Sequence, residues 1–172
     1  MLNAIYFYRV SRWLYLHHIP VLPKLITLLI FLIYNSKIPY QAKIGRESTF
    51  GYGGMGVVIH SKSIIGENCT ICQQVTIGGG NSRFPGVPVI GNNVYIAKGS
   101  IVMGGITIGN NVFIGAKSTV LYDVAIGDNV IIGAGSLVNK DIPSGTVAAG
   151  VPCKVIGSFD EYMSRLRVEE EK

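Results

Sequence analysis

From residue 90 onward a branched aliphatic side chain falls at every sixth position: Ile90, Ile96, Val102, Ile108, Ile114, Val120, Ile126, Ile132 and Val138. An earlier run, Ile59, Ile65, Ile71 and Ile77, keeps the spacing in another phase, and the segment Gly78 to Val89 separates the two. A helix needs apolar positions at a period near 3.6, and a half-buried strand a period of two. Neither describes this chain. Three hexapeptides make a longer unit of 18 residues, read as GNNVYIAKGSIVMGGITI (91–108), GNNVFIGAKSTVLYDVAI (109–126) and GDNVIIGAGSLVNKDIPS (127–144). Gly91, Gly109 and Gly127 open the units, and Ser100, Ser118 and Ser136 occupy equivalent places within them.

Self-similarity at a fixed short period is the mark of a stack of identical coils. Each hexapeptide supplies a short strand and a corner, and three complete a triangular turn. The Ile and Val positions point inward and meet their equivalents one coil away. Glycine and asparagine occupy corners whose backbone most side chains disfavour. The fold class is therefore an all-β solenoid, a parallel β-helix. A stack of this kind shares its core between neighbours and leaves unpaired edges at both ends. The segment Phe159 to Glu171 reads as a helix placed to cover one end, and the N-terminal arm covers the other. The expected organisation is a helical arm over residues 1–39, the β-helix over 40–157 with a loop at 78–89, and a helix over 158–172.

Charge refines the picture of the arm. Residues 1–46 carry Arg9, Arg12, Lys24, Lys37, Lys43 and Arg46 and no acidic side chain, so the net charge of +5 resides there and the rest is close to neutral. Two readings follow: an amphipathic segment packed within the protein's own oligomer, or a surface for peripheral contact with an anionic membrane. The most apolar stretch, Leu25 to Tyr34, is about half the ~20 residues that a spanning helix needs. Pro20 and Pro23 and the lack of a small-residue cleavage site argue against a signal peptide. A cytoplasmic location is expected. The sparse basic residues and the lack of a nucleic-acid motif exclude that class of partner.

Cys69, Cys72 and Cys153 cannot all pair, which suits a reducing compartment. Cys69 and Cys72 form a C-x-x-C, but no second ligand pair follows, so no metal is expected. Both fall at places that the repeat already explains, Cys69 two residues before the inward Ile71 and Cys72 just after it. His17 and His18, adjacent on a helix, point in different directions and make a poor shared metal site.

The hexapeptide pattern over roughly residues 40–157 resembles the left-handed β-helix acyltransferases. IGENCTICQQVTIGG (65–79) looks like the serine acetyltransferase segment with Q-x-V-T-[IL]-G-G, and TVAAGVPCKVIG (146–157) resembles the ending that closes the acetyl-CoA cleft in that superfamily. The arm is similar to those of serine acetyltransferase-like enzymes of bacterial surface-polysaccharide pathways. The resemblance implies a homotrimer with acetyl-CoA bound in grooves between adjacent β-helices. It also implies direct acetyl transfer, with a histidine base and neither a metal nor a covalent enzyme intermediate.

Departures from the serine acetyltransferase pattern shape the expected function. Its Asp-His motif is replaced by the stretch Phe50 to Gly54, an upstream Asp by Lys37 or its neighbours, and a loop His by Arg83 and Phe84. The expected acceptor is therefore a carbohydrate hydroxyl, with L-serine as the alternative. His60 is the one histidine of the repeat region and the candidate base, since an imidazole with pKa of about 6.5 accepts a proton at neutral pH. A structural role is its competing reading. Tyr52, Arg83 and Phe84 are the candidates for acceptor binding, Arg83 toward an anionic group and Phe84 reaching with it over a neighbouring groove. Ala97, Gly99, Gly115, Ala116, Ala134 and Gly150 are the candidates to line the acetyl-CoA groove, with Pro152 near the adenine and Lys117, Lys140 and Lys154 toward phosphates. A β-helix carbonic anhydrase is excluded because it needs three histidines at coil spacing. A non-catalytic scaffold stays open, because one stack serves several functions.

Overall fold

The structure, a computed structural model, describes residues 2–170. Two antiparallel helices, α1 (Ala4–Leu16) and α2 (Leu22–Tyr34), precede a parallel β-solenoid of about six turns. A final helix, α3 (Phe159–Glu170), follows it. Residues 171–172, the end of the expected C-terminal helix, lie outside the described residues. No helix among those described is long and apolar enough to cross a membrane.

Three parallel sheets form the faces of the solenoid. Face A stacks the strands Val58–Ile59, Thr76–Gly78, Ile101–Met103, Thr119–Val120 and Leu137–Val138. Face B begins at Lys43–Ile44 and runs through Ile64–Ile65 and Val89–Ile90 to Ala125–Ile126. Face C begins at Thr49–Phe50 and ends with Thr146–Ala149, which pairs antiparallel with Lys154–Ser158. In most strands the outward residue is exposed and the next is buried, so the inward positions fill the coil, and Ala4, Ile5, Tyr8, Ile30 and Tyr34 of the helices extend that core. Ile59, Ile77, Val102, Val120 and Val138 stand in register on face A, and Phe50, Ile71, Ile96, Ile114 and Ile132 on face C. Dispersion between stacked methyl groups and removal of that surface from water favour the stack.

Corners decide which residues the repeat tolerates. A Cβ on Gly66 would lie 2.4 Å from the Gly91 carbonyl oxygen and one on Gly91 2.6 Å from that of Gly109, so this column admits no side chain. Beside it, Asn68, Asn93, Asn111 and Asn129 all have left-handed backbone, with φ of 53° to 56°. Their side chains form a ladder along the stack, Asn68 donating to Asn93, Asn93 to Asn111 and Asn111 to Asn129. Asparagine is the non-glycine residue best suited to that conformation.

The arm closes the first coil. Alternate residues of a strand turn their backbone groups toward the following coil, as Lys43 does in donating its N–H to the Ser63 carbonyl. On the first coil the residues between them, such as Ile44, therefore turn theirs outward with no strand to pair. Arg12 donates to the carbonyls of Tyr40, Gln41 and Ala42, and Arg9 to those of Ile44 and Gly45. The buried Tyr8 hydroxyl donates to the Ala42 carbonyl at 2.7 Å and accepts from the Ile44 N–H at 3.1 Å. Burial pushes the pKa of that hydroxyl up, against the opposing pull of Arg12 and Arg9. Two of the arm's basic side chains thus serve the protein's own backbone.

Candidate active site

His60 follows the face-A strand Val58–Ile59 at the corner leading to face B. Its Nδ1 accepts the Lys62 N–H at 3.2 Å. One coil above, Gly79 lies against the ring, where an added Cβ would stand 2.7 Å from His60 Cδ2. The imidazole is therefore held in place by a glycine and a backbone N–H. Accepting a substrate proton at Nδ1 requires the long contact with Lys62 to give way, because the neutral ring in this tautomer carries its hydrogen on Nε2.

The half-buried ring borders a cleft of about 530 Å³ between α2 and face A. Lys24 and Thr27 of α2, Lys37, Tyr40, Gln41 and Ser61 supply its other polar side chains. Lys37 is fixed by its backbone, its N–H donating to the Val57 carbonyl and its carbonyl accepting from the Ile59 N–H, both at 2.9 Å. Lys24, Lys37, Tyr40 and Gln41 were not among the site residues expected from sequence, because the packing of α2 brings Lys24 to His60 and the stacking of the first coil brings the other three. The charge imbalance of the arm was the one available signal.

The expected acceptor-binding residues lie elsewhere. Tyr52 is 73% exposed on the 3₁₀ turn Gly51–Gly54, with φ of 49°, and does not line the cleft. Within the chain, the loop after Gly79 is anchored through Phe84. That ring stacks on Tyr122 of the same chain, with centroids 5.1 Å apart and planes 12° apart. The Asn81 side chain accepts the N–H groups of Arg83 and Phe84, and Gly80 N–H donates to the Gly86 carbonyl, so the loop lies down along its own corner. Arg83 is exposed at its tip.

The expected acetyl-CoA residues divide. Ala97, Gly99, Gly115, Ala116, Lys117, Ala134 and Gly150 stack on the corner between faces C and A. Ladder bonds run from Lys117 N–H to the Lys98 carbonyl and from Gly135 N–H to the Ala116 carbonyl. Pro152 follows on the same corner, whereas Lys140 is on the His60 corner and Lys154 begins the last strand, so the three lysines do not converge. A column of Ala and Gly with open space at Gly135 suits an extended pantetheine arm. Face A separates this column from His60.

The cysteines stay within the coil. Cys69 and Cys72 are free and buried, and burial pushes the Cys69 thiol's pKa up. Among the described residues no group of three His, Cys, Asp or Glu side chains is placed to hold a metal ion.

The profile of the family described as bacterial transferase hexapeptide (six repeats) matches residues 88–121 and 105–140. The chain is 38% identical over 105 residues to the serine acetyltransferase of Synechococcus elongatus, covering 60% of this chain and 43% of that one. Over 106 residues it is 40% identical to the serine acetyltransferase of Staphylococcus xylosus, covering 61% and 49%. The repeat is thus similar to the bacterial hexapeptide transferases, and within them to serine acetyltransferases. It also superposes on a serine acetyltransferase in complex with CoA with a TM-score of 0.57 and 27% identity, covering 89% of this chain and 55% of that structure. The chain spans about half the length of the relatives it matches. These similarities overturn the carbohydrate acceptor expected from sequence: serine acetyltransferases are matched in the β-helix although the chain lacks their Asp-His pair and loop His, because the coils carry the likeness.

Proposed function

We propose that this serine acetyltransferase-like chain transfers an acetyl group from acetyl-CoA to the hydroxyl of L-serine, with His60 as general base. The observation that carries the reading is a half-buried imidazole, set against Gly79, at the edge of a cleft large enough for an amino acid. With Phe50 to Gly54 and Arg83–Phe84 in place of the relatives' Asp-His pair and loop His, base chemistry falls to His60. The imidazole takes the hydroxyl proton as the serine oxygen attacks the thioester carbonyl, and returns it to the departing thiolate. Acetyl-CoA supplies the activated acyl group, and the small-residue column from Ala97 to Gly150 holds its extended arm. Because face A separates that column from His60, the reading places each site between two copies, the His60 corner of one facing the small-residue corner of the next in a homotrimer.

Thiol release from acetyl-CoA in the presence of L-serine tests this directly. His60→Ala is expected to lower the rate by roughly 10²-fold or more while the coil stays folded. Full activity in that variant would remove His60 from the chemistry, and wild-type protein inert toward L-serine would remove the acceptor.

The arm supports a further part of the reading, peripheral contact with an anionic membrane. Leu25, Leu28, Leu29 and Leu32 form an exposed stripe on α2, and Tyr6, Val10 and Trp13 are exposed on α1. Such a stripe on an acid-free segment suits the boundary of an anionic bilayer. Wild type is expected to sediment with phosphatidylglycerol vesicles and the Leu28→Glu/Leu32→Glu variant to remain in the supernatant. A variant that, without vesicles, forms a smaller oligomer than wild type would instead assign the stripe to a second copy.

A further inference from the structure

The cleft beside His60 has a one-sided charge. Lys24 and Lys37 line it together with neutral polar groups, and no aspartate or glutamate does. Lys37 is the better placed, since its backbone is locked into the ladder next to Val58 and Ile59, the residues that lead into His60. The Arg9 and Arg12 side chains do not line it and are committed to carbonyls of the first coil. A cleft bordered by two lysines and, among the described residues, by no carboxylate favours an anionic group of the ligand and offers an ammonium no compensating charge.

We infer that this cleft grips the acceptor by a carboxylate, through Lys37 and Lys24, and does not read its amino group. This deepens the proposed acetyl transfer and rests on it for the identity of the hydroxyl. It extends the acceptor class from L-serine to small hydroxy acids as a group, in which the hydroxyl lies beside His60 and the carboxylate beside the lysines. An amine on the same carbon is tolerated as solvent-facing and contributes no selectivity.

Binding is the decisive measurement because it does not require turnover. The whole chain, labelled at histidine, is titrated with L-serine, L-glycerate and serinol, and the His60 ring signals are followed. L-glycerate is expected to bind within about threefold of L-serine, and serinol, which lacks the carboxylate, about tenfold more weakly. Lys37→Gln is expected to weaken both carboxylates by about tenfold and not to weaken serinol, with Lys24→Gln acting in the same direction. Serinol binding as well as L-serine, L-glycerate failing to bind, or lysine variants that bind all three like wild type would each overturn the inference. If the carboxylates bind as stated but no acetyl group is transferred, the assignment of function fails and the carboxylate grip stands.

Discussion

Gly79 sets the position of His60, on which the proposed chemistry depends. Its missing side chain leaves the space that the His60 ring occupies, and a Cβ there would approach Cδ2 to 2.7 Å and Nε2 to 2.9 Å. Contacts so short force a shift, and the ring can turn into the open cleft more easily than the coil can part. Gly79→Ala is therefore expected to lower kcat by about 10-fold to 10²-fold, approaching the loss of the base itself. Its thermal unfolding midpoint should move by no more than about 4 °C, the size of a roughly 1 kcal/mol change. Paired kinetic and melting curves check this, and a fold loss without a selective rate loss would show that Gly79 serves the coil and not the ring. His60 itself was legible in the sequence because it is the one histidine of the repeat. The need for glycine at 79 was hidden in a run of three glycines, where nothing marks which of them meets a ring.

At the scale of elements, what could be read depended on whether the cause was local. One inward aliphatic per hexapeptide is a local requirement, and Ile90 to Val138 show it without interruption. The first coil obeys the same rule at Ile38, Ile44 and Phe50, all buried, but the turn at Gly51–Gly54 shifts the phase before Ile59. For that reason the pattern was visible from Ile59 while its earlier turn was not. The course of the loop was not legible at all, since it is settled by the stacking of Phe84 on Tyr122, two coils away. The arm's charge was visible and its use was not: Arg9 and Arg12 satisfy outward-facing carbonyls that exist only once the coil has formed. Removing one of these donors should expose the cost of a bare coil edge. Arg12→Ala leaves the Tyr40, Gln41 and Ala42 carbonyls without that partner, and water reaches only part of them. A loss of about 1–3 kcal/mol is expected in urea unfolding, the penalty for partly buried acceptors left unpaired. A variant as stable as wild type would mean that solvent or Tyr8 takes over the edge.

For the whole molecule, the separation of the two corners has a consequence that neither corner shows alone. His60 lies after the face-A strand and the small-residue column before it, so one copy cannot supply both halves of one site if the acetyl-CoA arm follows that column. Sites shared between copies in a closed ring allow two inactive variants to rescue one another. His60→Ala removes the base, and Ala134→Trp fills the exposed column where acetyl-CoA is proposed to lie. Each is expected to be inactive by itself. Unfolded together in equal amounts and refolded, they should regain about a quarter of wild-type activity, because random pairing at each interface unites an intact His60 corner with an intact column that often. The same two proteins mixed without unfolding should stay inactive for as long as the assembled copies do not exchange. Recovery near a quarter would establish the shared site, and no recovery from a refolded, correctly sized assembly would place base and acetyl-CoA on the same copy. In that event the donor must lie along face A or face B, where the concave surface lined by Gly91, Thr107 and Gly109 is the next place to substitute.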